Sequence, residues 1–196
     1  MPVTKQRLES IFARLGSNFR FDATPERQLF EARYETNVYE SPAGSKSLTV
    51  MAKILDDGTV AQFVCPEVYD LSNSTNRAAA FEAVMQLGWT TKALAFEFDA
   101  STQRLWVTAD IIVEDGTLTV SQVERVIGTL IDTIDEYHPV LRHAIDTGII
   151  DFRLAGKASP SQPGASEVEQ LIKQLGGVDK IKQMLDERAQ PTGADR

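Results

Sequence analysis

The first fifteen residues carry the hydrophobic spacing of an amphipathic helix. Apolar side chains recur at i, i+3, i+4 and i+7, which places them on one face: Leu8, Ile11, Phe12 and Leu15. Thr4 precedes this pattern, where its hydroxyl can accept a hydrogen bond from the first turn, and Gly16 follows it as a typical stop. The pattern therefore predicts a helix between them.

The next segment, residues 17–45, supports two interpretations. Residues 29–39 could form a strand, whereas residues 26–33 could equally form one or two turns of helix. Pro42 and Gly44 then break the chain. The pattern alone leaves the conformation of this segment open.

From Leu48 onward the hydrophobic period changes to two, which indicates a strand. One face of it is apolar: Leu48, Val50, Ala52 and Ile54. Asp57 and Gly58 suit a tight hairpin, because both tolerate a positive φ. We expect the return strand over residues 59–65, ending at Pro66, which cannot donate a backbone hydrogen bond.

A helix and a second hairpin follow. Asn73, Ser74 and Thr75 offer caps for a helix that runs through Leu87 to a stop at Gly88. Apolar residues alternate over residues 94–98 and again over 105–113, with a polar turn at 99–103 between them. This alternation predicts two further antiparallel strands.

The longest helix begins at a capping box formed by Thr119 and Gln122. Its apolar stripe is Val123, Val126, Ile127, Leu130, Ile131, Ile134 and Tyr137. Pro139 removes a backbone donor, so we expect the helix to kink or end near His138. Further apolar residues beyond the proline indicate that it then resumes.

Hairpins separated by helices predict an α+β fold. We expect a mostly antiparallel sheet of about five strands, with helices mainly on one face, over residues 1–156. Residues 157–165 have the Pro/Gly/Ser composition of a linker. Beyond it, the pattern predicts a C-terminal helical tail, formed by a helical hairpin over residues 166–188 and a disordered end over residues 189–196.

Composition adds limits on location and partners. The chain has 196 residues and a net charge of −8, and residues 34–156 carry a net −10, so we expect no nucleic-acid binding. No apolar run approaches the roughly 18 residues of a membrane span, and no secretory signal precedes the first helix, which predicts a cytoplasmic protein with no membrane partner. Cys65, the only cysteine, lies in an apolar run and is predicted to be a buried structural thiol.

The chain lacks the motifs of common catalytic, metal and cofactor sites. No Gly-x-Ser-x-Gly elbow or glycine-rich phosphate loop occurs. His138 and His143 are five residues apart, about 140° around a helix, so they do not share a face as a metal-binding pair does. Asp132, Asp135 and Glu136 are predicted to form a solvated face. We therefore expect a non-enzymatic protein with no metal and no cofactor.

Two groups of apolar side chains are candidates for a protein interface. If Leu48 and Leu105 point toward the helices, the opposite sheet face presents four apolar side chains: Met51, Leu55, Trp106 and Ile112. The predicted tail helices are too short to be stable alone, so their apolar residues must dock on a surface: Leu171, Ile172, Leu175, Ile181, Met184 and Leu185. Trp89, in contrast, is predicted to cover the core.

Four segments carry a resemblance to a known family: Leu94-Ala-Phe-Glu-Phe-Asp99, Leu105-Trp-Val107, Glu114-Asp-Gly-Thr-Leu-Thr119 and Glu136-Tyr-His-Pro-Val-Leu-Arg142. They are similar to the YbjN family of bacterial proteins, most clearly over residues 90–145. The resemblance implies a compact α+β fold like that of type III secretion chaperones, and frequently a homodimer. It also implies a role in regulation or in holding other proteins, without catalytic residues.

We therefore expect a chaperone-like or regulatory protein-binding module, and a homodimer, whose other partner the sequence does not name. It would bind protein segments through apolar contacts of the sheet face or edge. Two alternatives stay open. One is a small-ligand sensor or an enzyme with a pocket between the sheet and the long helix, and the other is an accessory factor that joins a large assembly through the C-terminal tail.

Overall fold

The structure is a computed structural model that describes residues 2–24, 27–91, 93–114 and 116–156. Its helices and strands, in chain order, are α1 (Lys5–Arg14), β1 (Phe19–Thr24), β2 (Arg27–Glu35), β3 (Ser47–Leu55), β4 (Val60–Asp70), α2 (Arg77–Thr91), β5 (Ala95–Asp99), β6 (Arg104–Ile112) and α3 (Val120–Thr147). The predicted linker, tail hairpin and C-terminal end lie outside the described residues.

The six strands form one open sheet in the order β1-β2-β3-β4-β6-β5, and every neighbouring pair is antiparallel. This confirms the α+β class and the antiparallel sheet. The sheet has one strand more than the five or so expected, because the ambiguous segment forms both β1 and β2. Its pairing with β3, for example Tyr34 with Leu48, gives the segment a strand conformation that its local sequence does not determine.

The predicted starts of α1 and α3 are confirmed at atomic detail, whereas α2 begins at Arg77, directly after Asn76 and not after the predicted caps Asn73, Ser74 and Thr75. At the start of α1, the backbone N–H of Arg7 donates to Thr4 Oγ1 at 3.2 Å. At the start of α3, Thr119 N–H donates to Gln122 Oε1 at 2.9 Å, and Gln122 N–H donates to Thr119 Oγ1 at 3.2 Å. These bonds satisfy backbone donors that have no partner inside the helix.

The turn between β3 and β4 needs glycine at one position. Asp56, Asp57 and Gly58 all have positive φ, of 50°, 53° and 91°. The carbonyl of Gly58 accepts from Val3 N–H at 2.7 Å, and a Cβ at Gly58 would lie 2.7 Å from the oxygen of Val3. Glycine thus allows both the turn and the close approach of the N-terminal segment.

The predicted end of β4 at Pro66 is wrong, since the strand continues to Asp70. The register with β6 shifts between Cys65 and Tyr69, so Pro66 lies in a bulge where no ladder bond is required of it. Glu67, in the same bulge, has a φ of 52°. Cys65 is buried as predicted, and burial raises the pKa of its thiol.

The predicted stop of α2 at Gly88 is also wrong, because the helix continues to Thr91. A glycine inside a helix costs only about 1 kcal/mol relative to alanine. The hydroxyls of Thr90 and Thr91 donate to the carbonyls of Gln86 and Leu87, at 3.1 and 3.0 Å. The last turn therefore forms in spite of the glycine.

Helix α3 is one element of 28 residues with Pro139 buried inside it, so the predicted continuation beyond the proline is confirmed. It ends at Gly148, which has a φ of 77°. Among the described residues, no helix has both the length and the apolar character that a bilayer crossing requires.

The helices pack on one face of the sheet, as expected. Side chains from all three helices share one core with alternate residues of the strands: Phe12, Leu87 and Leu130 with Phe30, Val50, Phe63 and Val107. The opposite face of the sheet carries no described helix. We call it the helix-free face.

Candidate protein-binding groove

The helix-free face contains an open groove with a volume of about 1210 Å³. Strands β2 and β3 form its floor, and the loop containing Pro42 and the bulge at Pro66 border it. Apolar and charged side chains both line it: Leu29, Met51, Leu55, Trp106, Arg33 and Lys53. The groove thus combines apolar side chains with charged ones.

The four interface candidates on the helix-free face do not all line the groove. Met51, Leu55 and Trp106 line the groove, whereas Ile112 lies outside its lining. Leu55 is 36% exposed and Ile112 is 71% exposed, while Met51 and Trp106 are half-buried. The tail candidates Leu171, Ile172, Leu175, Ile181, Met184 and Leu185 lie outside the described residues, so their docking remains a prediction.

Strand register arranges the helix-free face in rows that cross from β3 through β4 to β6. The first row is apolar: Leu55, Val60 and Ile112. The second row is polar and begins and ends in opposite charges: Lys53, Gln62 and Asp110. The third row is Met51, Val64 and Thr108. Trp106 lies at the other end of the face, about 20 Å along β6 from Ile112 at 3.4 Å per residue.

Trp106 has an unsatisfied polar atom. Its indole Nε1 is buried, and it has no hydrogen-bond partner within the part of the chain that the structure describes. A buried donor without an acceptor costs about 1–3 kcal/mol. A buried group of this kind calls for an explanation, which makes Trp106 the groove residue to test first.

Charges around the groove are partly neutralised within the chain. Glu31 pairs with Arg20 at 3.0 Å, and Arg104 pairs with Glu67 and, at 3.8 Å, with Asp70. Arg33 and Lys53 form no ion pair with any described residue. The groove therefore presents two cations that no described residue pairs with, on a chain that is acidic overall.

Asp135 fixes the loop that borders the groove, so its prediction as a solvated residue is wrong. Its carboxylate accepts the backbone N–H of Asn37, Val38 and Tyr39, at 3.1, 2.7 and 2.6 Å. Burial opposes its ionisation, but these hydrogen bonds outweigh burial and lower the pKa of Asp135. The hydrophobic pattern of α3 gives no sign of this contact, because it does not show that the loop of residues 37–39 covers the side of the helix.

A second, polar cleft of about 540 Å³ lies between β4 and α3. His138 is 4% exposed here, and Tyr69 Oη lies 3.3 Å from its Nδ1. Burial lowers the pKa of His138 to about 4; the positive charge of Arg142 adds to this, while Asp135 and Asp146 oppose it. The imidazole is therefore neutral at pH 7.

The prediction that Trp89 covers the core is wrong. Its side chain is 81% exposed, and Met85, one turn earlier on α2, is 75% exposed. Because α2 extends past Gly88, Trp89 follows the solvent side of the helix instead of folding back over the core. The two residues form an apolar surface patch beside Phe152.

The fold and the groove together define a class: an α+β protein with an antiparallel sheet, helices on one face and an open groove on the other. The family model for YbjN, described as "Putative bacterial sensory transduction regulator", matches residues 4–143. The chain therefore belongs to the YbjN family, which confirms the resemblance found in its sequence. Comparison with curated proteins gives no match.

Proposed function

We propose that this protein is a non-enzymatic regulatory module that binds an extended segment of another protein at the Trp106 end of the groove. The observation that carries the proposal is a half-buried tryptophan whose N–H has no partner among the described residues, in a groove of about 1210 Å³. Small-molecule pockets usually measure about 300–1,000 Å³, so the volume favours a peptide segment. The family description supports a regulatory role.

The side chains at this end suit an extended peptide. Trp106, Pro42 and Pro66 offer rigid apolar surfaces, and Arg33 offers an exposed cation without an ion pair among the described residues. A rotation of the indole would bring its N–H to a backbone carbonyl of the bound segment. Binding would then combine apolar burial with one hydrogen bond and one charge contact.

The test uses linear peptides selected from a random library against the wild-type protein. Their affinities are measured by fluorescence anisotropy for wild type, Trp106→Phe and Arg33→Glu. We expect each variant to bind about tenfold more weakly, since each loses one polar contact.

Arg14→Glu is the matched control for this test, because it makes the same charge change at an exposed position on α1. We expect its affinity to equal that of wild type. Peptides that bind Arg33→Glu and Trp106→Phe as tightly as wild type would place binding outside the groove and contradict the proposal.

The polar cleft favours a second candidate function, a sensor of small polar ligands. It lies between the sheet and the long helix, where the sequence-based alternative expected a pocket, and Arg142 and Asp146 line it. A thermal-shift screen of small polar compounds tests this candidate. Hits should lose their effect in Arg142→Gln, while the peptides that bind the groove should be unaffected.

A further inference from the structure

We infer that the polar cleft between β4 and α3 binds a basic α-amino acid, with its carboxylate toward the buried end and its ammonium groups at the rim. The inference rests on the second candidate function, the sensor of small polar ligands, and names the ligand class that the cleft selects. Its volume of about 540 Å³ lies in the range of small-molecule pockets. The three residues of α3 that carry the inference do not line the groove on the helix-free face.

Helix α3 contributes a row of three polar side chains to the cleft: His138, Arg142 and Asp146. They are four residues apart, so they share one face of the helix. The row runs from the interior to the surface, because His138 is buried whereas Arg142 and Asp146 are exposed. At 1.5 Å per residue it spans about 12 Å, so a small molecule with charged groups at both ends can contact more than one of its members.

The buried end of the cleft offers a hydrogen-bond donor. Tyr69 Oη lies 3.3 Å from Nδ1 of His138 and has no other acceptor among the described residues, so its hydroxyl donates to this nitrogen. The neutral imidazole then carries its proton on Nε2. Within the described part of the chain, Nε2 makes no hydrogen bond, and Trp106 Nε1 is the only enclosed side-chain polar atom without a partner. The Nε2–H group of His138 is therefore open to the cleft.

This N–H group and the guanidinium of Arg142, one turn later on α3, together suit a carboxylate. Arg142 pairs with Asp146 through Nη2, at 3.1 Å. An exposed pair of this kind adds little stability, so Arg142 can turn to a bound anion at little cost. A guanidinium also binds a carboxylate through two parallel hydrogen bonds, which a single-atom anion cannot accept. This part of the cleft binds the carboxylate of the amino acid.

The rim of the cleft is acidic. Three carboxylates line the cleft against one guanidinium: Glu40, Asp70 and Asp146. With His138 neutral, the lining carries a net charge of −2. Asp70 already contacts Ser72 and Arg104, whereas Glu40 forms no ion pair with a described residue. The carboxylates of Glu40 and Asp146 are therefore the acceptors for ammonium groups.

The net charge of the lining discriminates between amino acids. An acidic amino acid would add negative charge to an acidic cleft, whereas a basic one brings a second cation that compensates it. A diamine would satisfy the rim but would leave the donors of His138 and Arg142 without a carboxylate. L-Lysine is therefore the probe, with L-glutamate and cadaverine, the diamine that L-lysine becomes without its carboxylate, as the two comparisons.

Isothermal titration calorimetry of the full chain at pH 7 with these three compounds is the first test. We expect L-lysine to bind at least about tenfold more tightly than either comparison compound. Equal or tighter binding of L-glutamate or cadaverine, or no binding of L-lysine, would overturn the inference. If L-lysine fails but another polar compound stabilises wild type and not Arg142→Gln, the sensor function stands without this ligand class. If no compound does so, both fail.

Arg142→Gln and Asp146→Asn test the two ends of the ligand separately. Arg142→Gln removes the carboxylate contact, so it should bind L-lysine no more tightly than cadaverine. Asp146→Asn should weaken the binding of both compounds about tenfold, because each places an ammonium group at the rim. Arg125→Gln and Asp132→Asn, at exposed positions on α3 outside the cleft, are the matched controls and should bind as wild type does. Equal affinity for L-lysine in Arg142→Gln and Arg125→Gln would contradict the assignment.

The position of the ligand can be read from the two histidines of the chain. In NMR of the imidazole nitrogens at pH 7, Nε2 of His138 should carry the proton, and its signal should shift when L-lysine is added. His143, which does not line the cleft, is the internal control and should not shift. A proton on Nδ1 of His138, or an unchanged Nε2 signal at saturating L-lysine, would overturn the inference.

Discussion

His138 is neutral in the folded protein because Tyr39 and Tyr69 surround it and remove it from water. The three rings form one cluster, with Tyr39 edge-on to the imidazole and Tyr69 stacked on it. Nearby charges act in both directions, since Arg142 disfavours protonation while Asp135 and Asp146 favour it. Desolvation is the largest effect, so protonation of this side chain opposes folding.

Stability should therefore fall in mild acid. The pKa of His138 is about 4 in the folded protein against 6.5 for a free side chain. Between these pH values the unfolded chain binds more protons, so stability is full above pH 6.5 and decreases toward pH 4, by on the order of 2–3 kcal/mol. Urea unfolding measured from pH 7.5 to pH 4.5 checks this.

Variants at both histidines test whether His138 causes this loss of stability in acid. We expect His138→Gln to lose most of the pH dependence between pH 6.5 and pH 4.5. His143→Gln, at a half-buried position on the same helix, should retain it. Identical pH profiles for wild type and His138→Gln would show that another group is responsible.

At the residue scale, the sequence predicts what depends on neighbours along the chain. The caps at Thr4 and Thr119, and the turn at Gly58, need only local geometry, and they were predicted. Asp135 was wrongly predicted to be solvated because its partners lie in the loop before β3, and the burial of His138 against Tyr39 and Tyr69 was not predicted for the same reason. Helical spacing shows which side of α3 meets the sheet, but not that a distant loop covers its flank.

At the element scale, the loop before β3 depends on α3 for its conformation. Three successive N–H groups of the loop, from Asn37, Val38 and Tyr39, converge on the Asp135 carboxylate. The hydroxyl of Thr36 also donates to the carbonyl of Tyr39 at 2.8 Å. This arrangement holds the border of the groove in place.

Asp135→Ala should release the loop and destabilise the fold by about 2 kcal/mol, since hydrogen bonds to a charged group are among the stronger ones. Hydrogen exchange should accelerate at the amides of Val38 and Tyr39. Asp132→Ala, at an exposed position one turn earlier, is the control and should leave exchange unchanged. Unchanged exchange in Asp135→Ala would show that the loop does not depend on this contact.

Element ends were harder to predict than element types. Pro66 and Gly88 are usual stop signals, yet β4 absorbs the proline in a bulge and α2 passes the glycine. In both cases the surrounding packing outweighs a local preference of about 1 kcal/mol or more. For the same reason, pairing with β3 decides the conformation of β2.

At the scale of the whole molecule, periodicity was sufficient for the fold class but not for the strand order. Alternation shows which residues share a face, whereas the pairing of β4 with β6, which α2 and β5 separate along the chain, is a long-range contact. The candidates Met51, Leu55, Trp106 and Ile112 were correctly placed on one face by alternation. That Leu55 and Ile112 lie at one end of this face and Trp106 at the other follows only from the register of the strands.

A chain that ends at Gly156 should fold as the full chain does, because the described core lies within residues 3–145. Removing residues 157–196 also leaves the net charge at −8. Thermal unfolding should show the same cooperativity and nearly the same midpoint. A large loss of stability would mean that the tail is part of the folded body.

The same shortened chain tests the role of the tail as an accessory arm. If residues 157–196 select a partner in a large assembly, affinity capture should lose that partner while groove peptides still bind. If the capture is unchanged, the accessory-factor alternative is contradicted.

The buried thiol of Cys65 can report on the opening of the sheet. It is the only cysteine of the chain, and burial both shields it from reagents and raises its pKa. Alkylation at this position therefore requires the sheet to open, so the labelling rate of a single sulfur would measure how often the central strand is exposed. Ligands that bind in the groove should slow the alkylation of Cys65 without contacting the cysteine.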